Sequence, residues 1–530
     1  MRRLKHRLPV RLRHHWKVVA ACGIFFAVLV GLVGTSRVAP IVTSDERADA
    51  DVVVQDIPGT VDLFDTSRPH ELTLSYSPVD YERMLDQYWE DGDKEYLEAD
   101  LVVDGTRIDS VGIRLKGNST LSGMTRDGQT APRGFGDRGE EGVRVGPPAG
   151  GAAPRDFGQA GGGFRGGGMG GLRAEEPENL PWLVSFDEYV EGRRYQGRTE
   201  IAVRPATGMG GSTTGLNEAV ALSLVAASGE PSQRYTFSTF TVNDRPTVTR
   251  LVVEHPDRTY ADSLPGDGVL YKSQASGQFA DQGDDQTDYQ DDFEQVNKKG
   301  SQDLRPVIEL IQWVGSASDA EFAAGLADRV DTASFARYAA LQNLLLNFDD
   351  MSGPGSNYYL YYNLDTRKFT VITWDLNLAM SGDATQGPND AGRMGGFLGA
   401  GPGGDRGQPP EGFEPPEGFQ LPEGFEPPEG FQPPDGGPGP GGGMRMRGHQ
   451  LKERFLADPE FKKVYENAYR DLYQRLYASG AAATAVEQTS AILKAAGANA
   501  STVDSEAAAL RTLVDSRTKS LATDEVITRK

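Results

Sequence analysis

Residues 340–380, ALQNLLLNFDDMSGPGSNYYLYYNLDTRKFTVITWDLNLAM, carry the groups best suited to chemistry. Adjacent carboxylates, Asp349 and Asp350, close an apolar helical run. Asn357 opens a run of aromatics, and Asp375 stands directly behind a second strand-like run. Acids at the end of a helix and at the end of a hairpin can converge on one pocket. Transfer of a phosphoryl group from a nucleotide asks little covalent work of a protein. It needs a metal clamp on the phosphates, a cation beside them, and a carboxylate to orient or deprotonate the acceptor hydroxyl. Mg²⁺ prefers oxygen ligands and retains waters, so one Asp with an Asn is enough protein ligation. Upstream, Lys116 and Glu218 complete these residue types, and no nearby His/Cys set offers a zinc or cysteine-nucleophile alternative. Taken singly, each has a simpler explanation. Asp349, Asp350 and Asp375 suit turns, most lysines lie on surfaces, and an acid such as Glu218 is favoured at a helix start. Their ordered occurrence is the argument for a site.

The elements that must position these residues can be read from periodicity. HELTLSYS and the pair around the turn DGTR alternate as strands, and the second of that pair runs out at Lys116. TTGLNEAVALSLVAASG is a helix carrying Glu218, with Thr213 or Thr214 as its expected cap and Gly229 as its stop. RYTFSTFTVNDRPTVTRLVVEH is a hairpin turning at Asn243-Asp244, and GVLYKS is a strand ending near Lys272. Beyond an acidic segment, expected as a solvated loop over 280–300, the chain becomes mainly helical.

With 530 residues and 38% hydrophobic content, the chain can bury a substantial core. Its 65 glycines and 32 prolines concentrate in two segments that cannot repay their chain entropy by burial. One is a Gly-rich insert over 122–178, and the other a Gly/Pro-rich insert over 393–447 containing a six-residue EGF-PP repeat. Both are expected to be disordered. A net charge of -22 argues against nucleic acid as a partner. Residues 1–17 hold seven Lys/Arg and no acid, and they precede an uncharged apolar run over 18–36. About 19 residues at ~1.5 Å each approach the thickness of a bilayer core, so a transmembrane signal anchor is expected, with a cytoplasmic N-terminus and an extracytoplasmic main domain. The alternative is secretion after signal cleavage. A polar linker over 37–57 would follow. The one cysteine, Cys22, lies in the apolar run and cannot form a disulfide within the chain.

GIRLKGNST, FDEYVEGRRYQG, LNEAVALSLVAASGEPSQRYTFSTFTVND, LYK, NFDDMSGPGSNYYLYYN and ITWDLNLAM, in that order, resemble the CotH family of spore-coat-type atypical kinases. The resemblance implies an α+β, atypical protein-kinase-like two-lobed fold, with a sheet-rich N-lobe over 58–279 and a helical C-lobe over 301–392 and 448–530. It implies ATP, with Mg²⁺ or Mn²⁺, as the cofactors, and transfer of the γ-phosphoryl group to Ser/Thr of proteins; the N-terminal export pattern sets those proteins at the cell surface or envelope. On this chain Asp349 matches the catalytic aspartate, with Asp350 as second choice, and Asp375 the metal-binding aspartate. Asn357 is placed to assist with metal or phosphate. Glu218 matches the glutamate that orients the nucleotide lysine, for which Lys116 is the first choice and Lys272 the second. The sequence departs from the family twice: Asn179-Leu180-Pro181-Trp182 lacks an expected lysine, and Trp374-Asp375-Leu376-Asn377 has an amide where WDLD has a second acid. Asn377 can ligate through its carbonyl oxygen with less charge. The alternative is therefore a catalytically inactive kinase-like surface protein that binds or serves as structure, with transfer of AMP a lesser possibility.

Overall fold

The computed structural model describes residues 53–117, 120–121, 123–130, 171–205, 212–390 and 448–529. The basic leader, the apolar run over 18–36, most of the linker and of the Gly-rich insert, and the Gly/Pro-rich insert over 393–447 lie outside the described residues. Among the described residues no helix is long and apolar enough to cross a membrane.

The architecture is mixed α/β, built on two main sheets and a layer of helices. Strands β1 (His70–Tyr76), β2 (Leu97–Val103), β3 (Thr106–Leu115), β4 (Trp182–Ser185), β5 (Glu200–Val203), β6 (Tyr235–Val242) and β7 (Val248–Glu254) form a closed barrel in the order β6-β7-β5-β4-β3-β2-β1. The parallel pairing of β1 with β6 closes it. Alternation drives this: Leu72 and Leu74 of β1 and Leu97, Leu101 and Val103 of β2 are buried in one core with Ile113, Leu115, Trp182 and Val203. The β2–β3 turn has Asp104 and Gly105 at φ 47° and 80°, the left-handed pair that a two-residue hairpin requires. The β6–β7 hairpin turns at Asn243, φ 47°, where the sequence places it.

A second sheet consists of β8 (Gly268–Ser273), β9 (Phe293–Gln295), β10 (Tyr358–Asn363) and β11 (Lys368–Thr373), ordered β9-β8-β10-β11 and antiparallel throughout. The two aromatic-rich runs of the opening stretch thus form the hairpin β10–β11. Helices α1 (Pro78–Glu90), α2 (Leu216–Ser228), α3 (Arg305–Ser316), α4 (Thr332–Leu344), α5 (Gln450–Ala457), α6 (Pro459–Tyr473), α7 (Ala481–Ala495) and α8 (Ala500–Ala522) complete the framework. Helix α2 is buried nearly all round, and one core joins it to α3, α4, β8, β10 and α5 through α8. The helices after residue 448 therefore share a core with those before residue 390.

Several boundaries differ from the sequence reading, each for an identifiable reason. Gln55–Ile57, counted with the linker, pair in parallel with Arg193–Tyr195. The margins of the Gly-rich insert are folded, because Leu121, Met124, Leu172 and Ala174 are buried in the barrel core and Thr125 bridges to Arg173. The acidic segment, expected as a solvated loop, contains strand β9, because Tyr289 and Phe293 are buried in the helical core. Helix α2 stops at Gly229, φ 87°, as expected, but it starts at Gly215, φ 76°, with no side-chain cap from Thr213 or Thr214.

Candidate functional site

Asp349 sits in the loop that leaves α4. The helix is capped at its start by Asp331, which accepts the Ala333 and Ser334 N–H groups, and after Leu344 the chain turns through Leu346 at φ 53°. The loop then folds back on Asp349. Oδ1 accepts the Gly355 N–H at 2.6 Å, and Oδ2 accepts Asn357 Nδ2 at 2.9 Å. Asn357 Nδ2 also reaches the Asp349 carbonyl at 3.1 Å. A Cβ on Gly353 would lie 2.4 Å from Asp349 Cα, and one on Gly355 would lie 2.7 Å from Asp349 Oδ2, so this approach requires glycine at both positions. Burial pushes the Asp349 carboxyl up to about 6, the Gly355 N–H opposes the rise, and the nearby charges of Asp375 and Asp350 add to it. The result is a carboxylate with the proton affinity of a general base near neutral pH.

Asp375 follows β11 and Trp374 and adopts φ 53°, ψ 69°, a left-handed conformation open to aspartate but uncommon outside glycine. Its Oδ1 accepts Arg204 Nη2 at 2.9 Å. The same guanidinium donates Nε–H to Glu218 Oε1 at 2.8 Å, and Nη2 reaches that oxygen as well. Arg204 therefore bridges the buried glutamate of α2 to the aspartate behind β11. Burial works against the guanidinium charge, but Asp375 and Glu218 outweigh it and hold Arg204 above its ordinary value. Burial raises the Glu218 carboxyl, with Arg204 opposing. The residue beside Glu218 ties the same parts together: Asn217 Nδ2 donates to the carbonyls of Asn377 at 2.7 Å and Ala379 at 3.1 Å.

Lys116 lies just past the end of β3, its backbone N–H bonded to Pro181 O at 3.0 Å. Its Nζ stands 5.2 Å from the centroid of the Trp374 ring, and Arg204 Cζ stands 5.4 Å from the same ring. Burial pushes the Lys116 ammonium well down, and the like charges of Lys272, Arg204 and Arg114 push it further. Lys272, on β8, is 3.6 Å from Glu294 Oε2. Both candidate lysines thus belong to one cationic group with Arg204 and Arg114. The sequence sets Lys116 against Glu218, whereas the partner in direct contact with Glu218 is Arg204.

The adjacent acids separate. Asp350 is engaged by Lys452 of α5 and accepts the Ser352 N–H at 2.8 Å. It lines a cleft of about 390 Å³ with Asn347, Gln386, Lys452 and Tyr465. Asp349, Asn357, Asp375, Glu218 and Lys116 belong to one neighbourhood, and Lys272 joins it from β8. Asn377 contributes its carbonyl to Asn217 and, among the described residues, makes no side-chain hydrogen bond. Arg204, Arg114 and Asn217 escape the sequence reading. The available signals were weak: Arg204 is a basic residue at the end of a strand, just before a Gly-rich stretch and α2, and Asn217 directly precedes Glu218.

The donor set suits a hard divalent cation. Asp375 Oδ2 and the amide oxygens of Asn357 and Asn377 make no hydrogen bond among the described residues, and all are oxygens. Among the described residues, no three His, Cys, Asp or Glu side chains are arranged so that they could hold a metal ion by themselves. A cation held here would therefore complete its shell with water and ligand oxygens, as Mg²⁺ does. Bound beside a nucleotide, such an ion supplies neutralisation of phosphate charge.

A family model described as CotH kinase protein matches residues 164–514. That span contains Arg204, Glu218, Lys272, Asp349, Asn357, Asp375 and Asn377, and it begins beyond Lys116. A search of the curated proteins gives no match. The match extends over more than half of the sequence and over every acid of the site described above, and the chain belongs to the CotH kinase family.

Proposed function

We propose that the protein is a protein kinase that transfers the γ-phosphoryl group of ATP, with Mg²⁺ or Mn²⁺, to Ser/Thr hydroxyls of proteins at the cell surface or envelope. The observation that carries this reading is the bridge from Glu218 through Arg204 to Asp375, set beside Lys116 and within the field of Asp349. In a two-lobed kinase-like arrangement, the barrel side offers Lys116 and Arg204 to the phosphates, and the helical side offers Asp349 and Asp375. Asp375, Asn357 and Asn377 would hold the metal. Asp349 takes the proton of the acceptor hydroxyl as its oxygen bonds to phosphorus and the bond to the ADP leaving group breaks. Tethering through residues 18–36, with this domain outside the membrane, is part of the proposal and rests on the basic and apolar N-terminal pattern.

The test is labelling with γ-³²P-ATP and Mg²⁺ or Mn²⁺, followed by intact mass, which distinguishes an added phosphate from an added AMP. Loss of labelling in Asp375→Ala is the expected result. Labelling that persists in that variant, or absence of labelling in the wild type, overturns the assignment. The second reading, a kinase-like binding protein without catalysis, is favoured by the amide at Asn377. It predicts nucleotide-dependent stabilisation without turnover.

A further inference from the structure

Helix α8, distant in sequence from every acid of the site, touches both halves of it. Arg517 of α8 is fully buried and donates to the carbonyls of Leu344 at 2.8 Å and Asn343 at 2.7 Å, the end of α4 from which the Asp349 loop departs. Eleven residues earlier, close to three helical turns and so on nearly the same face, stands Glu506. Its carboxylate gathers four donors from a single turn. Oε1 accepts the Thr213 N–H at 2.7 Å and the Thr213 hydroxyl at 2.9 Å, while Oε2 accepts the Ser212 hydroxyl at 2.9 Å and the Thr214 hydroxyl.

That turn begins α2. The helix starts at Gly215 with no side-chain cap, and its first N–H, from Leu216, is bonded to Ser212 Oγ at 3.1 Å. The same Ser212 oxygen accepts the Thr214 N–H at 3.3 Å while donating its own proton to Glu506. Glu506 thus orients the hydroxyl that receives the first amide of α2, and its negative charge stands near the end of the helix that favours it. The next two residues are Asn217, bonded to the turn behind Asp375, and Glu218, bonded to Arg204. Helix α8 is itself held by Val503, Ala507, Leu510 and Val514 in the helical core. A displacement of the α2 start reaches Glu218 and the Asp375 turn within one helical turn.

We propose that Glu506 is a positioning residue for the nucleotide site, setting the start of α2 and through it Glu218, Arg204 and the Asp375 turn. This rests on the proposal that the site binds ATP, so the test includes a readout independent of nucleotide. Glu506→Ala and Glu506→Gln are compared with the wild-type full chain in ATP turnover with Mg²⁺ and in amide hydrogen exchange without nucleotide. Glu506→Ala is expected to raise KM for ATP roughly tenfold, well within the ~100-fold that a misplacement of about 1 Å can cost, with kcat altered less. Exchange at Leu216 and Ala219, whose N–H groups are bonded to Ser212 Oγ and to the Gly215 carbonyl, is expected to speed up in the same variant. Glu506→Gln, which keeps one acceptor oxygen, should fall between the two, and it carries the test if the alanine variant does not fold. Combination with Asn217→Ala should be less than additive in KM, because both act through the start of α2. Unchanged KM and unchanged exchange, with only a lower melting temperature, overturn the proposal. A wild type that does not turn over ATP defeats the kinase reading alone, and the exchange comparison then decides the role of Glu506.

Discussion

Asp349→Asn separates the fold from the chemistry. The carboxyl stands at about 6 against an ordinary 3.8, chiefly because it is buried. A carboxyl whose proton is held more tightly in the folded state than in the unfolded one stabilises the fold while protonated. That contribution is complete below about pH 4 and is lost as the pH rises through 6. The two values imply about 3 kcal/mol in all, and about 2 to 3 kcal/mol of it falls between pH 4 and pH 7.5. Asparagine has no charge to develop in the same place. It does set its own Nδ2 against that of Asn357, which donates to Oδ2 at 2.9 Å, and losing that bond costs about 1 kcal/mol at every pH. The variant should therefore be less stable than the wild type by about 1 kcal/mol at pH 4 and more stable by about 1 to 2 kcal/mol at pH 7.5. Urea unfolding of both proteins across that range measures the difference. A difference that does not change with pH refutes the assignment of the raised pKa to this residue. Phosphoryl transfer should fall by about 100-fold or more in the variant above pH 7, and the gap should narrow below about pH 6, because wild-type transfer rises through that pH as Asp349 ionises whereas the variant's does not.

Gly355→Ala places a methyl 2.7 Å from Asp349 Oδ2, so transfer should drop by about 100-fold in kcat/KM with a smaller change in urea midpoint. Arg204→Met leaves Glu218 buried without its cation and should cost about 3 kcal/mol in urea unfolding, discounted if Glu218 takes up a proton. Lys116→Met should raise the ATP Kd in calorimetry by more than Lys272→Met does, because Lys116 stands beside Trp374 whereas Lys272 already faces Glu294. The reverse order would make Lys272 the nucleotide lysine.

The hairpin β10–β11, the stop of α2 and the Asn243 turn were legible because each rests on local chemistry: alternation, a left-handed glycine, an asparagine that tolerates positive φ. The separate fates of Asp349 and Asp350 were not, because adjacent residues carry the same local signal. Gly355 and Asn357 return to one acid, while Lys452, about a hundred residues further on, takes the other. Arg204 was missed for a related reason. A strand-end arginine is unremarkable until β5 closes into the barrel and the α2 glutamate is brought against it.

The charges around Trp374 bear on what can enter the site. Arg204, Lys272 and Arg114 are answered by carboxylates, Arg204 by Glu218 and Asp375, Lys272 by Glu294 and Arg114 by Glu200 and Glu294, whereas Lys116 is pushed down by burial and by its cationic neighbours, with Glu200 opposing. A polyphosphate arriving alone would meet Glu218 and Asp375 as well as the lysines, and its charge would be poorly compensated in a partly buried space. A divalent cation on Asp375 changes that balance. Held at Asp375 Oδ2, such an ion would offset the charge of that acid and weaken its hold on Arg204 through Oδ1, while Glu218 keeps the guanidinium Nε. If Asn377 ligates as proposed, its amide would bring one fewer negative charge to the metal than an acid, and more of the cation's charge would remain for the phosphates. The amide would then weaken binding of the free metal more than binding of a metal that arrives on its nucleotide, a difference that calorimetry with Mg²⁺ alone and with Mg²⁺-ATP measures.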